Sequence, residues 1–199
     1  MKNLILGLAL TATYLAVFNS HIKSTENLKM YEDLQFQSTI NNTSLNTSSV
    51  SDAKNAVSIK AILNAYLQLK NALTEDNSIA AATAGKKVTA AFKKFDKSSF
   101  TDAQKKIYED VEADAIENAE HIGANGGKIA HQREHFELLS KDVYDLVKTF
   151  GAGQVLYKVY DSMFNNGKGA FWLSETKDIK NPYMGKAMLT SGSIKEEIK

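Results

Sequence analysis

The chain has 199 residues, with 24 Lys and Arg against 23 Asp and Glu, so its formal net charge is +1. This balance excludes a strong overall field that would attract nucleic acid or an anionic membrane. Cysteine is absent, which excludes disulfides and thiolate metal ligands. One proline and 11 glycines favour long helices over a turn-rich sheet fold.

The N-terminal residues resemble a secretory signal peptide at residues 1–20. Lys2 supplies a positive start and residues 4–18 are largely apolar. An uncleaved membrane anchor is the alternative, but this stretch is shorter than the ~20 residues that a spanning helix needs. We therefore predict a periplasmic or secreted protein with no stable membrane span after signal cleavage. Residues 21–52 are polar and predict a linker, and residues 53–199 are the predicted folded domain.

Four helices are predicted from apolar residues that recur at three- and four-residue steps. Asp76 and Asn77 are predicted N-terminal caps of the second helix, and Thr101 and Asp102 of the third. Gly123 and Gly151 are predicted to end the third and fourth helices. The four apolar stripes are Ile59, Ile62, Leu63, Tyr66, Leu69 and Leu73; Ala81, Ala84, Val88, Ala91, Phe92 and Phe95; Tyr108, Val111, Ala115, Ala119 and Ile122; and Ile129, Phe136, Leu139, Val143, Leu146, Val147 and Phe150. Short connections between such helices predict an antiparallel four-helix bundle.

Residues 154–199 break the helical periodicity. Val155, Tyr157 and Val159 alternate like a short strand, and a glycine-containing loop follows. Trp172 and Tyr183 are predicted to anchor this loop on the helices, because large aromatic side chains dominate such docking. The predicted fold class is therefore mainly α, an antiparallel four-helix bundle with an irregular C-terminal loop segment that has room for one short strand.

His131 and His135 lie four residues apart, so a helix would place both imidazoles on one face, where they could chelate a metal ion. Glu134 sits at the third intervening position, not directly after the first histidine, which excludes the zinc-protease motif. Surface histidines bonded to neighbouring groups are the alternative. Asp142 and Asp145 are predicted to lie on a solvated helix face.

Met163 and Met188 lie in the C-terminal segment, where a loop could fold towards the histidine pair. Imidazole combined with thioether suits copper better than magnesium or calcium. The alternative is that both methionines fill gaps in the core. No Ser-His-Asp order, nucleophile elbow or paired-acid motif is present, so we predict that the protein is not an enzyme.

Three stretches carry a family resemblance: residues 129–140, 163–174 and 179–189. They resemble an uncharacterised Bacteroidota family classed as a domain of unknown function, over roughly residues 53–194. Members of that family are typically exported, and the same domain occurs attached to adaptor subunits of heavy-metal efflux systems. The resemblance therefore implies binding or handover of copper-like ions, with metal-efflux components as partners.

Carried over residue by residue, the resemblance implies that the soft-metal ligands are His131, His135, Met163 and Met188. The implied cofactor is copper. Two hypotheses follow from this resemblance. One is an exported copper-like binding or handover protein with a His/Met site. The other is a metal-free structural or protein-interaction module that keeps the family fold.

The chain departs from the family pattern at two places. Asp161-Ser162 stands where the family has Cys-Pro, and Ser191 stands where a cysteine precedes the glycine that is Gly192 here. Loss of both thiolates weakens a copper(I) site. A carboxylate from Asp161 would shift the preference towards harder ions such as copper(II) or zinc.

Overall fold

The computed structural model describes residues 46–199, with side chains described from residue 59 onwards. The predicted signal peptide and most of the predicted linker lie outside the described residues. The described chain is mainly helical and ends in a small three-stranded antiparallel sheet. Helix α1 spans Asn46–Thr74, so it begins inside the segment that the sequence predicts as a linker. Within the described part of the chain, none of the helices combines the length and apolar character of a membrane span.

The three helices that follow are α2 (Ser78–Lys93), α3 (Asp102–Ala124) and α4 (Ile129–Phe150). Two of them begin at the predicted N-terminal caps and the last ends just before Gly151 as predicted, whereas α3 continues past Gly123 to Ala124. Asn77 caps α2 by accepting a backbone N–H of the first turn at 2.9 Å. Thr101 caps α3 through a reciprocal pair of hydrogen bonds with the third helical residue. The predicted caps Asn77 and Thr101 are confirmed, whereas Asp102 is the first residue of α3 and the Asp76 carboxylate accepts from Arg133 and from the Lys186 N–H instead.

The four apolar stripes meet in one core. Helix α1 packs against α2 and α4, and α3 also packs against α2 and α4. Ala91 and Ile129 are partly exposed, and every other residue of the predicted stripes is buried. The periodicity of the sequence therefore identified the faces that the helices bury, because burying one apolar face fixes which residues point inwards.

The C-terminal sheet has the strand order β2-β1-β3, with both pairs antiparallel. Its strands are β1 (Leu156–Asp161), β2 (Ala170–Ser174) and β3 (Ser193–Ile198). The predicted strand is confirmed by β1, whereas β2 and β3 were not predicted. A register shift between Lys158 and Val159 interrupts the pairing of β1 with β3. This bulge changes which face the strand buries, so simple alternation does not describe it.

Aromatic side chains hold the C-terminal segment on the helices. Trp172 is fully buried, and the Tyr183 ring lies 5.6 Å from the Phe136 ring of α4. The Tyr183 hydroxyl donates a 2.6 Å hydrogen bond to the Phe171 carbonyl. The predicted docking by Trp172 and Tyr183 is therefore confirmed, and it joins the sheet to the helical core.

Candidate metal centre

Three imidazoles converge where the end of α3 meets the start of α4. One ligand atom from each of His121, His131 and His135 lies within 4.8 Å of the other two. Among the described residues, this is the only group of three or more His, Cys, Asp or Glu side chains with such spacing. The fold therefore brings the predicted pair, His131 and His135, together with His121, which was not predicted from the sequence.

The connection between α3 and α4 explains why these histidines meet. The two helices pack against each other and are joined by residues 125–128. Gly127 takes a positive φ of +92°, a conformation that suits a glycine in a tight turn. His121 and His131 each lie five residues from Gly126, so an antiparallel hairpin places them opposite each other. His135 follows one helical turn later on the same face.

The hydrogen bonds of His135 determine which ring nitrogen carries its proton. The Asn118 side-chain nitrogen donates to the Asp114 carbonyl at 2.8 Å, and a carbonyl can only accept. The Asn118 side-chain oxygen must then face His135 Nδ1, which lies 2.9 Å away. Nδ1 is therefore the protonated nitrogen, and Nε2 carries the lone pair that a metal ion would use.

His131 has a similar arrangement. Its Nδ1 lies 3.2 Å from a carboxylate oxygen of Glu134, one turn along α4. An ionised carboxylate only accepts hydrogen bonds, so Nδ1 donates and Nε2 is left with the lone pair. Contacts of this kind between a carboxylate and the second ring nitrogen orient metal-binding histidines. Two of the three imidazoles therefore present a free Nε2.

His121 is held more loosely than the other two histidines. Its Nε2 lies 3.9 Å from a carboxylate oxygen of Glu117, and 47% of its side chain is exposed. Its ring stacks on that of His135, with centroids 4.4 Å apart and planes 13° apart. The rings of His131 and His135 are instead nearly perpendicular, with centroids 4.6 Å apart and an interplanar angle of 86°.

The electrostatic surroundings keep His135 neutral. Burial is the largest cause that lowers its pKa below the usual histidine value, and the neighbouring His121 and His131 lower it further by charge repulsion. Glu134 and Glu117 act in the opposite direction but do not reverse the shift. A neutral imidazole is the form that binds metal ions, so the cluster favours the ligand state of His135 at neutral pH.

The two predicted methionines are both exposed. Met163 is 53% exposed and lines a pocket on the side of α4 that carries Arg133 and Glu137. Met188 is 39% exposed and ends a 3-10 helix, Gly185–Met188, which packs against α1. Glu134, whose carboxylate contacts His131, lines the same pocket as Met163, so ligation by the methionines stays a prediction.

Asp161, Asn181 and Ser191 meet in a buried hydrogen-bonded node. The carboxylate of Asp161 accepts from the Met163 backbone N–H at 2.6 Å and from the Asn181 amide. The Ser191 hydroxyl also lies 3.2 Å from this carboxylate. Asp161 is only 2% exposed, and three donors already occupy its oxygens. These contacts fit a structural role better than metal coordination by Asp161.

Asp142 does not lie on a solvated face as predicted. One of its carboxylate oxygens is buried and has no hydrogen-bond partner within the described chain. Burial is the main cause that raises its pKa to about 7, and the charges of Asp114 and Asp145 raise it further. The prediction was wrong for Asp142, because its carboxyl group lies close to Asp114 of α3. Asp145 is exposed, as expected.

Comparison with known families places the three histidines within one matched region. The family described as a protein of unknown function (DUF3347) matches residues 62–155. The DUF3347 match spans most of the helical part, including His121, His131 and His135, and ends before β1 and before both predicted methionines. No curated protein and no solved structure matches the chain.

Proposed function

We propose that this domain binds one copper-like transition-metal ion through His121, His131 and His135. The observation that supports the proposal is the convergence of three imidazole ligand atoms within 4.8 Å across two helices. The packing of α3 against α4 already fixes the backbone positions of the ligands. Little chain entropy is therefore lost when an ion binds, and preorganisation of this kind favours affinity.

The donor set supports a divalent ion. Imidazole nitrogen suits zinc, copper and nickel, and the Irving–Williams order places Cu²⁺ above the other two. The chain has no cysteine, so it lacks the thiolate that would most favour copper(I). The proposal therefore names Cu²⁺ first and Zn²⁺ second, and it needs neither Met163 nor Met188.

The exposure of the cluster supports handover more than permanent storage. The side chains of His121 and His131 are 47% and 41% exposed. Three protein ligands leave one coordination position of a tetrahedral ion open. A partner protein could supply a ligand there, and we extend the proposal to an exported protein that exchanges the ion with metal-efflux components. Its exported location rests on residues 1–20, and the four long helices are proposed to form an antiparallel bundle.

The competing proposal is a metal-free structural or interaction module. Its support is the node formed by Asp161, Asn181 and Ser191, where hydrogen bonds take the place of two family cysteines. If the chain kept the fold without a metal, the buried polar side chains at these positions would have to form hydrogen bonds with one another, as they do in this node. The node is independent of the imidazole cluster, so it does not oppose the first proposal.

Calorimetric titration tests the proposal. The full chain is first freed of metal with a chelator and is then titrated separately with Cu²⁺ and with Zn²⁺. We expect one equivalent of either ion to bind, with Cu²⁺ tighter. Alanine at His121, His131 or His135 should weaken binding by at least about tenfold, because loss of even an outer-shell partner costs roughly 10–100-fold. His21→Ala is the matched control, since His21 is the fourth histidine of the chain.

Met163→Ala and Met188→Ala separate this proposal from the His/Met site that the sequence predicts. We expect both variants to bind with unchanged affinity. Absence of binding, or binding that is indifferent to all three histidine substitutions, would reject the imidazole site. Metal-free protein recovered from its native compartment would also support the competing module.

A further inference from the structure

The stacked arrangement of His121 and His135 does not allow both rings to bind one ion as they stand. A metal ion lies along the nitrogen lone pair, in the plane of the imidazole ring. It can lie in two ring planes only where those planes intersect. The two planes are 13° apart and the rings stack with centroids 4.4 Å apart, so their intersection is far from both rings. Metal–nitrogen bonds of ~2.0–2.1 Å cannot reach it.

The pair formed by His131 and His135 has no such restriction. Their planes are 86° apart, so the planes intersect close to the rings, whose centroids are 4.6 Å apart. Glu134 and Asn118 leave the Nε2 lone pair free on both imidazoles. The two residues are also one turn apart on α4, which is a spacing suited to chelation.

The contacts of each ring indicate which ligand can move. Two nitrogens bound to one tetrahedral ion with ~2.0–2.1 Å bonds are roughly 3.3 Å apart. The ligand atoms of the cluster lie within 4.8 Å of one another, a limit that leaves room for such a movement. His135 is held by Asn118, which is itself bonded to the backbone of α3. His121 is nearly half exposed, and its side chain has a 3.9 Å contact with Glu117.

We propose that the site fills in two steps. His131 and His135 capture the ion, and His121 then swings away from its stacked position to become the third ligand. The inference rests on the proposed metal binding and adds a role for one residue: His121 closes the site and controls release. A partner that takes the ion would need to displace His121, the most weakly held of the three ligands.

Stopped-flow kinetics with Zn²⁺ and a fluorescent chelator test this order. Because most affinity differences at one site arise from the dissociation rate, we expect His121→Ala to raise that rate by about tenfold or more. Its association rate should stay within about twofold of the original chain. His135→Ala should slow association, because it removes half of the capturing pair. His21→Ala should change neither rate.

Nuclear magnetic resonance of the imidazole nitrogens provides an independent reading. Before Zn²⁺ is added, His131 and His135 should show protons on Nδ1, and the rings of His121 and His135 should show a close contact. Zn²⁺ should shift the Nε2 signals of the pair and remove that contact. In His121→Ala, the same Nε2 shifts should still appear.

The outcomes separate this inference from the proposed function. If the original chain binds neither Cu²⁺ nor Zn²⁺, both fail, and if it binds only Cu²⁺ the same kinetics are measured with Cu²⁺. If it binds but His121→Ala slows association as much as His135→Ala does, only the two-step order is overturned. Persistence of the stacked contact in the Zn²⁺-bound protein would overturn it as well.

Discussion

The Ser191 hydroxyl lies 3.2 Å from the Asp161 carboxylate, although 30 residues separate them in sequence. The Asn181 amide donates to both side chains, and its donation to Ser191 Oγ measures 2.8 Å. The node ties the end of β1 to the chain that leads into β3. Hydrogen bonds therefore hold these two segments of the chain together.

Asp161→Ala should destabilise the domain. The substitution leaves the Met163 N–H and the Ser191 hydroxyl without their acceptor and removes one acceptor of the Asn181 amide, which keeps its bonds to Ser191. Unpaired buried donors cost about 1–3 kcal/mol each, and partial access of water leads us to expect a loss of about 2–4 kcal/mol. Urea denaturation followed by circular dichroism measures it. Ser162→Ala is the matched control, because Ser162 is the exposed neighbour. Equal midpoints for both variants would contradict a structural node.

Tyr66→Phe should break a buried chain of hydrogen bonds. The Leu173 N–H donates to the Tyr66 hydroxyl at 3.1 Å, which lies 2.8 Å from Ser140 Oγ. Ser140 donates its own proton to the Phe136 carbonyl, so Tyr66 is the donor to Ser140. Removal of the hydroxyl leaves the buried Leu173 N–H unpaired, and we expect a loss of about 1–3 kcal/mol.

Thermal or urea denaturation checks the Tyr66→Phe prediction. Tyr157→Phe serves as the control, because Tyr157 is only partly buried and its ring faces the Lys177 ammonium at 5.5 Å. The control should lose little stability. A loss for Tyr157→Phe as large as that for Tyr66→Phe would show that the hydroxyl network is not the cause.

Gly85→Ala should push α2 away from α3. A β-carbon at Gly85 would lie 2.9 Å from the Ala119 carbonyl oxygen and 3.0 Å from the Gly123 nitrogen. Backbone atoms cannot move aside as a flexible side chain can, so we expect a loss of about 1–3 kcal/mol despite the better helix propensity of alanine. Gly126→Ala is the control, because its β-carbon would meet only side-chain atoms, the nearest being Ile79 Cδ1 at 3.3 Å. Calorimetric unfolding of both variants should separate them.

Asp142→Asn should change the pH dependence of stability. The folded-state pKa of Asp142 is raised from 3.8 to about 7, so the folded protein binds the proton more tightly than the unfolded chain. The contribution of Asp142 is therefore fully present below pH ~4 and is lost as the pH rises to about 7. Asparagine carries no charge, so the variant should gain stability relative to the original chain over this range.

The expected gain above pH ~7 is about 1–2 kcal/mol, because the carboxyl is only partly buried and solvent screens part of the cost. Urea denaturation between pH 4 and 9, in steps of about one pH unit, measures the difference. Asp178→Asn is the control, because Asp178 is exposed and is not among the charges that act on Asp142, and it should not reproduce this trend. A pH-independent difference for Asp142→Asn would contradict the assignment.

The helical part could be predicted because its signals are local. The Asn77 and Thr101 caps depend on residues within one turn, and the apolar stripes depend on a fixed period. The sheet could not be predicted in the same way. Strand β3 reads Ser-Ile-Lys-Glu-Glu-Ile and is mostly exposed, so its pattern lacks the alternation of a half-buried strand. Its pairing with β1 depends on residues more than 30 positions away.

The candidate site was predicted only in part. His131 and His135 share a helix face, which the four-residue spacing predicts. A signal for His121 was also available, because a hairpin centred near Gly126 places His121 opposite His131. That inference requires the direction of α4 relative to α3, and the periodicity of a single helix does not give this direction. The positions of Met163 and Met188 depend on how the C-terminal segment crosses the helices.

The sequence alone determined the helix faces, the N-terminal caps Asn77 and Thr101 and the shared face of His131 and His135 on α4, because backbone hydrogen bonds and local spacing fix these features within a few turns. Only the tertiary structure decided that His121 joins the pair and that Asp142 lies close to Asp114. Both outcomes depend on distances between helices, which arise from the packing of the whole core. The pKa of a carboxyl group and the ability of an imidazole to share a metal ion depend on side chains of neighbouring helices. The linear order of residues does not specify which side chains these are.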